Sequence, residues 1–453
     1  MKVRHPVFGI GEVLRERWMG MEYLVRFEDR NLVLWIKSEE VTLLDGTPPP
    51  PTTTTPRPLQ SRPSRGGDFQ ARRMIEAFRL GIVPRFAIRE FTFGRDSELR
   101  VFHTLLQEYH QTHGQVLLLE GPYGSGKTHF LDYLREQFLE NGFAVSMIEL
   151  HPMAGTPTRP KHIYREICRN FQVRLPNGKN GTFRDFLGES IESTQLPKPH
   201  PFLSPLFRAL RKNPDDPYLW AYIQGEPLDR DYLDHLHHWR LPVLLDHSSA
   251  ADIYVNLLTA YGFLLQQLGH PGLALLFDEG EGVFFTYVTH YDRWIMALMF
   301  LKGLLATALN APETQTLDLT GETFYPVGKR DAWGRVHSGV RPMPYAYHLP
   351  SHLFVVAAFT PLMQETYLSM LQEIPSKHWL TLQPLSSQAY EEMFDATVRV
   401  YQRAFPDFVP SKEEMAKVRN RLLRNLSAID PRTFLENLVH QLDLLRHYGQ
   451  VLV

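Results

Sequence analysis

The chain has 453 residues, of which 43% are hydrophobic and 22% charged, a composition typical of a globular protein with room for two or three domains. Its net charge of −2 excludes a strong overall basic field that would attract nucleic acid. The single cysteine excludes an internal disulfide, and no run is apolar and long enough to span a bilayer. We therefore expect a cytoplasmic protein that does not enter the membrane.

Residues 1–46 alternate apolar and polar positions between short turn signals. This pattern predicts a small all-β barrel with strands at 13–14, 23–27, 32–36 and 41–44. Residues 47–68 are rich in Pro, Thr and Arg, and such a segment cannot bury enough apolar surface to fold. We expect a linker there and a second folded unit from residue 69.

The most informative segment begins at residues 116–119, an apolar run that predicts a buried strand. Residues 121–128 match the motif G-x-x-x-x-G-K-[ST]: Gly121, Pro122, Tyr123, Gly124, Ser125, Gly126, Lys127 and Thr128. An amphipathic helical pattern follows this motif. In a P-loop of this form backbone N–H groups surround the phosphates, the lysine reaches the outer phosphates and the hydroxyl ligates Mg²⁺. The sequence predicts a nucleoside triphosphate site.

Strand-like runs at 144–150, 273–277 and 353–359 alternate with helical patterns. This alternation predicts an α/β fold with a parallel sheet covered by helices on both faces. We assign residues 69–378 to this P-loop core, with an insertion at about 172–250 in which few elements can be placed. Residues 379–453 are helical in pattern, with N-caps at Ser411 and Asp430, and we expect a helical lid there.

Asp278 and Glu279 directly follow the apolar run 273–277, an arrangement with the form of a Walker B element. Asp278 is predicted to hold Mg²⁺, and Glu279 to polarise the water that attacks the γ-phosphate. A surface pair capping the next helix is the alternative, which the P-loop upstream makes the weaker one. Glu281 is either part of this group or a solvated acid in the first turn of a helix.

Two further residues are candidates for catalysis. Thr360 ends the run 353–359, where a polar side chain could orient the attacking water, the sensor-1 position of AAA+ enzymes; a plain turn residue is the alternative. Arg432 stands in the first turn of a predicted lid helix and is either a sensor-2 arginine that reaches the γ-phosphate or a surface residue. Four basic residues include candidate trans-acting fingers, but no pattern selects one: Lys329, Arg330, Arg335 and Arg341.

Residues from about 69 to 445 resemble the BREX-system ATP-binding protein BrxD family. The similarity is carried by the segments 71–84, 93–99, 121–128, 277–281 and 430–434. The resemblance implies an AAA+ ATPase of the origin-recognition type that uses ATP and Mg²⁺ in bacterial phage defence. It also implies DNA or a helicase as partner, and a ring or dimer. In AAA+ relatives the segments matching 81–84 and Gly94-Arg95 pack near the adenine; an ion pair is the alternative for Arg95.

Residues 3–44 resemble the Tudor/SH3-like module of UvrD/PcrA helicases and CarD-like proteins, through the segments 3–13, 23–27 and 43–44. The resemblance implies that this module binds protein partners.

Two questions stay open at the level of sequence. Arginines cluster between residues 57 and 89, which fits either a basic arm that contacts DNA or a solvated linker followed by an ordinary helix face. The chain is either an ATPase that acts on DNA or a helicase partner, which we favour, or a STAND-like signalling switch that controls partner assembly. A STAND-like switch usually carries a C-terminal repeat array or effector domain, and the sequence contains no internal repeat.

Overall fold

The computed structural model describes residues 2–5, 9–17, 22–27, 32–37, 42–43, 68–150, 159–175, 178–227, 236–246, 249–285, 291–324, 328–361, 371, 374–424 and 430–449. The chain divides into two compact units, residues 1–65 and 66–453. Of the described helices, none combines the length and the apolar character needed to cross a membrane.

The N-terminal unit contains one antiparallel sheet in the order β4-β3-β2-β1-β5. Its strands are β1 Lys2–His5, β2 Gly9–Arg17, β3 Glu22–Phe27, β4 Leu32–Lys37 and β5 Thr42–Leu43. The predicted strands are therefore confirmed. Within the described part of this unit no pairing joins β4 to β5, so the barrel stays a prediction. The predicted linker lies outside the described residues except for Asp68.

The described part of the second unit contains ten further strands and the helices that surround them. The strands are β6 Gly114–Glu120, β7 Ala144–Glu149, β8 Phe171–Arg174, β9 Asn180–Gly181, β10 Leu273–Asp278, β11 Leu319–Phe324, β12 Gly328–Asp331, β13 Val336–Ser338, β14 Leu353–Phe359 and β15 Trp379–Thr381. The helices are α1 Phe69–Phe78, α2 Asp96–Thr112, α3 Lys127–Glu140, α4 Pro160–Arg169, α5 Phe183–Ser193, α6 Leu203–Lys212, α7 Pro217–Ile223, α8 Ala251–Gln267, α9 Gly282–Phe285, α10 Tyr291–Ala308, α11 Ser387–Ala404, α12 Lys412–Leu423 and α13 Pro431–Tyr448.

A seven-stranded sheet in the order β15-β6-β14-β10-β7-β8-β9 forms the centre of this unit. The first five of these strands run parallel and β8 and β9 pair antiparallel, so the sheet is mixed but largely parallel. This confirms the predicted α/β class. In this sheet β14 lies between β6 and β10. The segment after β14 is therefore expected to lie between the P-loop, which follows β6, and the acidic segment that follows β10.

Alternate residues of the central strands pack into two different hydrophobic clusters. Val116 and Leu118 belong to a cluster with α4 to α8 and α10, whereas Leu117 and Leu119 pack with α2 and α3. Strands buried on both faces read as continuous apolar runs, and that is the pattern that located β6, β10 and β14. Residues 172–250, where few elements could be placed, contribute α5, α6 and α7 to the first cluster.

The C-terminal helices form a third cluster together with α1 and the segment around Phe91. The predicted N-caps are confirmed: Ser411 forms a capping box with Glu414, and the Asp430 side chain accepts hydrogen bonds from the Arg432 and Thr433 backbones. The first helix and the last three helices of this unit thus share one core.

Candidate nucleotide site

A cavity of about 600 Å³ lies beyond the carboxyl ends of β6, β10 and β14. Its wall contains P-loop residues 123–128, residues that follow β10 and β14, and residues of the cluster formed by α1 and the C-terminal helices. Ligands of open α/β sheets bind at this edge. The fold therefore gathers segments that are 300 residues apart in the chain around one space.

The P-loop adopts a backbone conformation that only glycine adopts readily. Gly124 and Gly126 have φ of 80° and 90°, in the left-handed region. Helix α3 begins at Lys127, and its N-cap is Gly126, which has no side chain to occupy the first N–H groups of the helix. Unsatisfied N–H groups at a helix N-terminus attract anions. The geometry suits a phosphate group.

Lys127 is buried, and its Nζ donates to the carbonyl oxygens of Gly121 at 2.8 Å and Pro122 at 3.1 Å. Burial lowers the pKa of Lys127, while the nearby carboxylates of Glu281, Asp278 and Glu279 act in the opposite direction. These bonds hold the ammonium group against the loop that would carry the phosphates.

The Thr128 Oγ1 donates to Asp278 Oδ2 at 2.6 Å, which joins the P-loop to the end of β10. The other carboxylate oxygen of Asp278 accepts a hydrogen bond of 3.0 Å from the Glu279 backbone N–H. A hydroxyl and a carboxylate are hard oxygen donors of the kind that Mg²⁺ prefers. Thr128 and Asp278 are therefore chemically suited to hold that ion.

Glu279 lies in the cavity wall with an unusual backbone. Its φ of 53° is in the left-handed region, which costs a non-glycine residue roughly 1 kcal/mol or more. The next residue fixes this turn: the Gly280 N–H donates to Ala358 O at 2.7 Å, and a Cβ on Gly280 would lie 2.7 Å from the Phe359 ring. Strain of this kind is concentrated at functional sites.

Thr360 and Glu281 are joined at the end of β14. The backbone N–H of Thr360 donates to Glu281 Oε2 at 3.0 Å, and both residues are buried in the cavity wall. The solvated position considered for Glu281 is therefore wrong, since its carboxylate links the segment after β10 to the end of β14.

Arg432 and Asp430 bring the first turn of α13 to the cavity. Arg432 lines the wall, and its Cγ would lie 2.1 Å from a Cβ built on Gly81. Asp430 lies against the P-loop, since a Cβ on Gly124 would be 2.9 Å from the Asp430 Cβ. The C-terminal helices thus touch the P-loop directly.

Arg95 connects the P-loop with two other elements. Its guanidinium pairs with Glu98 Oε1 at 2.8 Å, and it donates to the carbonyl oxygens of Ser125 and Gln383, each at 2.6 Å. The ion pair considered from the sequence is present, and both partners are buried. The bond to Ser125 gives Arg95 a second role as an anchor of the P-loop.

Most of the predicted site residues line the same cavity: Tyr123, Gly124, Ser125, Gly126, Lys127, Thr128, Asp278, Glu279, Thr360 and Arg432. Gly121 and Pro122 are not among the lining residues, but they hold Lys127 through their carbonyls. Arg335, one of the four candidate fingers, is instead buried in an ion pair with Asp331.

Sequence reasoning missed three acids of the wall: Asp132, Glu149, and Asp430 beyond its capping role. Glu149 ends β7 directly opposite Asp278. The only indication of Glu149 in the sequence is that an acid stands near the end of the apolar run 144–150.

Comparison with known proteins gives a match to a family model. A search of curated proteins found no significant relative of the chain. Residues 68–195, which include α1, the Arg95 segment and the whole P-loop, match the family model described as BREX system ATP-binding protein BrxC/D, and this match supports kinship with the BrxC/D family.

Proposed function

We propose that this protein binds ATP with Mg²⁺ and hydrolyses it as an AAA+-like P-loop ATPase with a C-terminal helical lid. We further propose that it acts on DNA, or loads or regulates a helicase partner, in a bacterial anti-phage system of the BREX type. The match of residues 68–195 to an ATP-binding family of that system supports both parts. For the N-terminal unit we propose a protein-binding role.

One observation carries the ATPase proposal: the hydrogen bond of 2.6 Å between Thr128 and Asp278. These residues are 150 positions apart, and the sequence predicts both as Mg²⁺ ligands, one within the P-loop motif and one in the acidic pair after β10. Their contact is what a shared metal–triphosphate site requires.

The residues of the cavity divide the work of phosphoryl transfer. Mg²⁺ bound at Thr128 and Asp278 would neutralise charge on the phosphate oxygens. The Lys127 ammonium binds the outer phosphates, and the N–H groups of the P-loop hold the chain of phosphates in line. Glu279 accepts a proton from the attacking water, and Thr360 orients that water from the neighbouring strand end.

The lid contributes from the opposite side of the cavity. Arg432 supplies positive charge toward the γ-phosphate, where charge develops during transfer. Because Arg432 belongs to α13, its distance from the phosphate depends on the position of the C-terminal helices.

Glu279→Gln tests the proposal. The variant keeps the size of the side chain but cannot accept a proton, so it should bind ATP as tightly as the wild type and lose at least about 100-fold in turnover. Lys127→Ala is the comparison that should lose binding itself. Equal turnover by Glu279→Gln and the wild type would remove Glu279 from its role. Stimulation of turnover by added DNA would favour the DNA-directed ATPase over a slow STAND-like switch.

A further inference from the structure

The three-stranded sheet β11-β12-β13 ends in a hairpin tip that carries a partly exposed tryptophan. Trp333 lies between β12 and β13, and 49% of its surface is exposed. It lies outside the wall of the nucleotide cavity. A tryptophan at a hairpin tip exposes apolar surface to water, which is unfavourable. The contacts around Trp333 show whether the fold holds the side chain in this place.

A single carboxylate fixes the backbone of this tip. Asp331 Oδ1 accepts hydrogen bonds from the backbone N–H groups of Trp333 at 3.0 Å and Arg335 at 2.9 Å. The Gly334 N–H donates to Asp331 O at 3.0 Å, and Gly334 supplies the left-handed turn with φ of 76°. The tip is therefore held in one conformation with the indole at its end.

Buried charges attach the tip to the body of the unit. Asp331 Oδ2 accepts from the Arg335 Nε at 2.8 Å and lies 3.1 Å from His337 Nε2. On the other side, Asp252 in the first turn of α8 accepts hydrogen bonds from the backbone N–H groups of Ser338 and Met343. A buried charge network adds little net stability but specifies one geometry.

The hairpin itself carries more basic than acidic residues, while the exposed Asp318 directly precedes β11, whose Leu319 pairs with Asp331. Between residues 328 and 341 the sequence contains four basic residues and one acid, Asp331, which is buried. Lys329 and Arg341 are exposed. The Arg335 guanidinium lies 5.3 Å from the centre of the Trp333 ring, which leaves the exposed part of the indole for a partner.

We propose that the hairpin tip binds single-stranded DNA, with Trp333 stacking on a base and Lys329, on the strand that leads to the tip, contacting a phosphate. A fixed aromatic side chain beside lysine and arginine is the combination that binds single strands without sequence preference. Preorganisation reduces the entropy lost on binding. This inference rests on the proposed action on DNA and names the surface that performs it.

Three of the arginines that precede the P-loop are less suited to this role. Arg79, Arg85 and Arg89 pair with Asp443, Asp132 and Glu140, respectively. The charges of these three arginines are thus balanced by acids within the fold. At the hairpin tip the acid Asp331 pairs with Arg335.

The test uses the full chain and a labelled oligothymidine of about 20 nucleotides, followed by fluorescence anisotropy at several salt concentrations. Trp333→Ala should weaken binding roughly 5- to 150-fold, the range for loss of one stacked base. Trp333→Phe should retain most of the affinity. Lys329→Gln should reduce the slope of log affinity against log salt by about 0.7, as expected when one phosphate contact to a single strand is lost.

Controls separate this inference from the function proposed above. Tyr448→Ala removes an exposed aromatic from the end of α13, 71% exposed, and should leave DNA affinity unchanged. Trp333→Ala should keep wild-type thermal unfolding and basal ATP turnover. Wild-type DNA affinity in Trp333→Ala would overturn the inference alone. If the wild-type chain binds no oligonucleotide, both the inference and the proposed action on DNA fail, and ATP hydrolysis is judged by the Glu279 variant.

Discussion

Replacing Arg95 by methionine should separate the stability of the fold from the anchoring of the P-loop. In the wild type, burial acts to raise the pKa of Glu98, but hydrogen bonds from Ser97 and Arg95 outweigh it and lower that pKa. Arg95→Met leaves this carboxylate, 2% exposed, without its cation. Removing one partner of a buried pair costs about 3–5 kcal/mol of the free energy of unfolding. The cost should shrink at pH 5, where Glu98 can take up a proton.

The double variant Arg95→Met/Glu98→Gln should recover most of the stability, because replacing both members of a buried pair is often close to neutral. Nucleotide affinity should not recover. The carbonyl of Ser125 has lost its donor in both variants, and a hydrogen bond from a charged group contributes about 1.5–3 kcal/mol. We therefore expect affinity for ATP to fall about 10- to 150-fold in the single and the double variant.

Glu98→Gln alone is the matched control, since it keeps Arg95 and its bonds to Ser125 and Gln383. Urea unfolding gives the stability of the variants, and titration with a fluorescent ATP analogue gives their affinity. The reasoning fails if the double variant binds nucleotide as well as Glu98→Gln does. Such a result would mean that the P-loop keeps its shape without the anchor.

Two further predictions concern pH and the lid. Burial lowers the pKa of His200 to about 3 and that of His352 to about 4; both therefore stabilise the fold while neutral, above pH 6.5, and that stability is lost as the pH falls. Between pH 6.5 and 5 the free energy of unfolding should drop by up to about 3 kcal/mol per pH unit. A midpoint of urea unfolding that stays the same over this pH range would contradict this prediction. Gly124→Ala should weaken ATP binding, because its Cβ would meet Asp430. Gly178 has a similar φ of 77°, and a Cβ there would have no neighbour within 4 Å. Gly178→Ala should therefore cost only backbone strain of about 1–2 kcal/mol. Equal losses of ATP affinity in the two variants would contradict the contact between Gly124 and Asp430.

Local patterns were sufficient to predict the P-loop and the strands that deliver the acids. Residues 116–128 form a continuous strand, loop and helix whose sequence pattern is complete within this segment, although distant residues such as Arg95 and Asp278 also bond to it. The same holds for β10 and β14, whose apolar runs end at Asp278 and before Thr360. Periodicity and turn chemistry act over a few residues, and they are enough to predict where these elements lie in the sequence.

Contacts between distant segments could not be predicted in this way. Nothing near Glu281 in sequence indicates that its carboxylate accepts the N–H of Thr360, 79 residues later. The position of Asp430 against Gly124 likewise depends on where α13 packs. The sheet order is a further case, because alternating strands and helices do not show that β14 lies between β6 and β10.

The cavity lies between the central sheet and the cluster that contains α1 and the C-terminal helices. Under the proposed function, this arrangement would let bound ATP act on the C-terminal helices. The P-loop and the ends of β10 and β14 belong to the sheet, whereas Arg432 and Asp430 belong to the cluster that also contains α1. Arg95 bonds to the P-loop on one side and, through Gln383, to the segment that leads into α11 on the other. A change in the phosphates bound at the P-loop would therefore act on the C-terminal helices both through the cavity and through Arg95. Loss of this anchor should weaken the coupling between nucleotide and lid even where ATP concentration is high enough to fill the site.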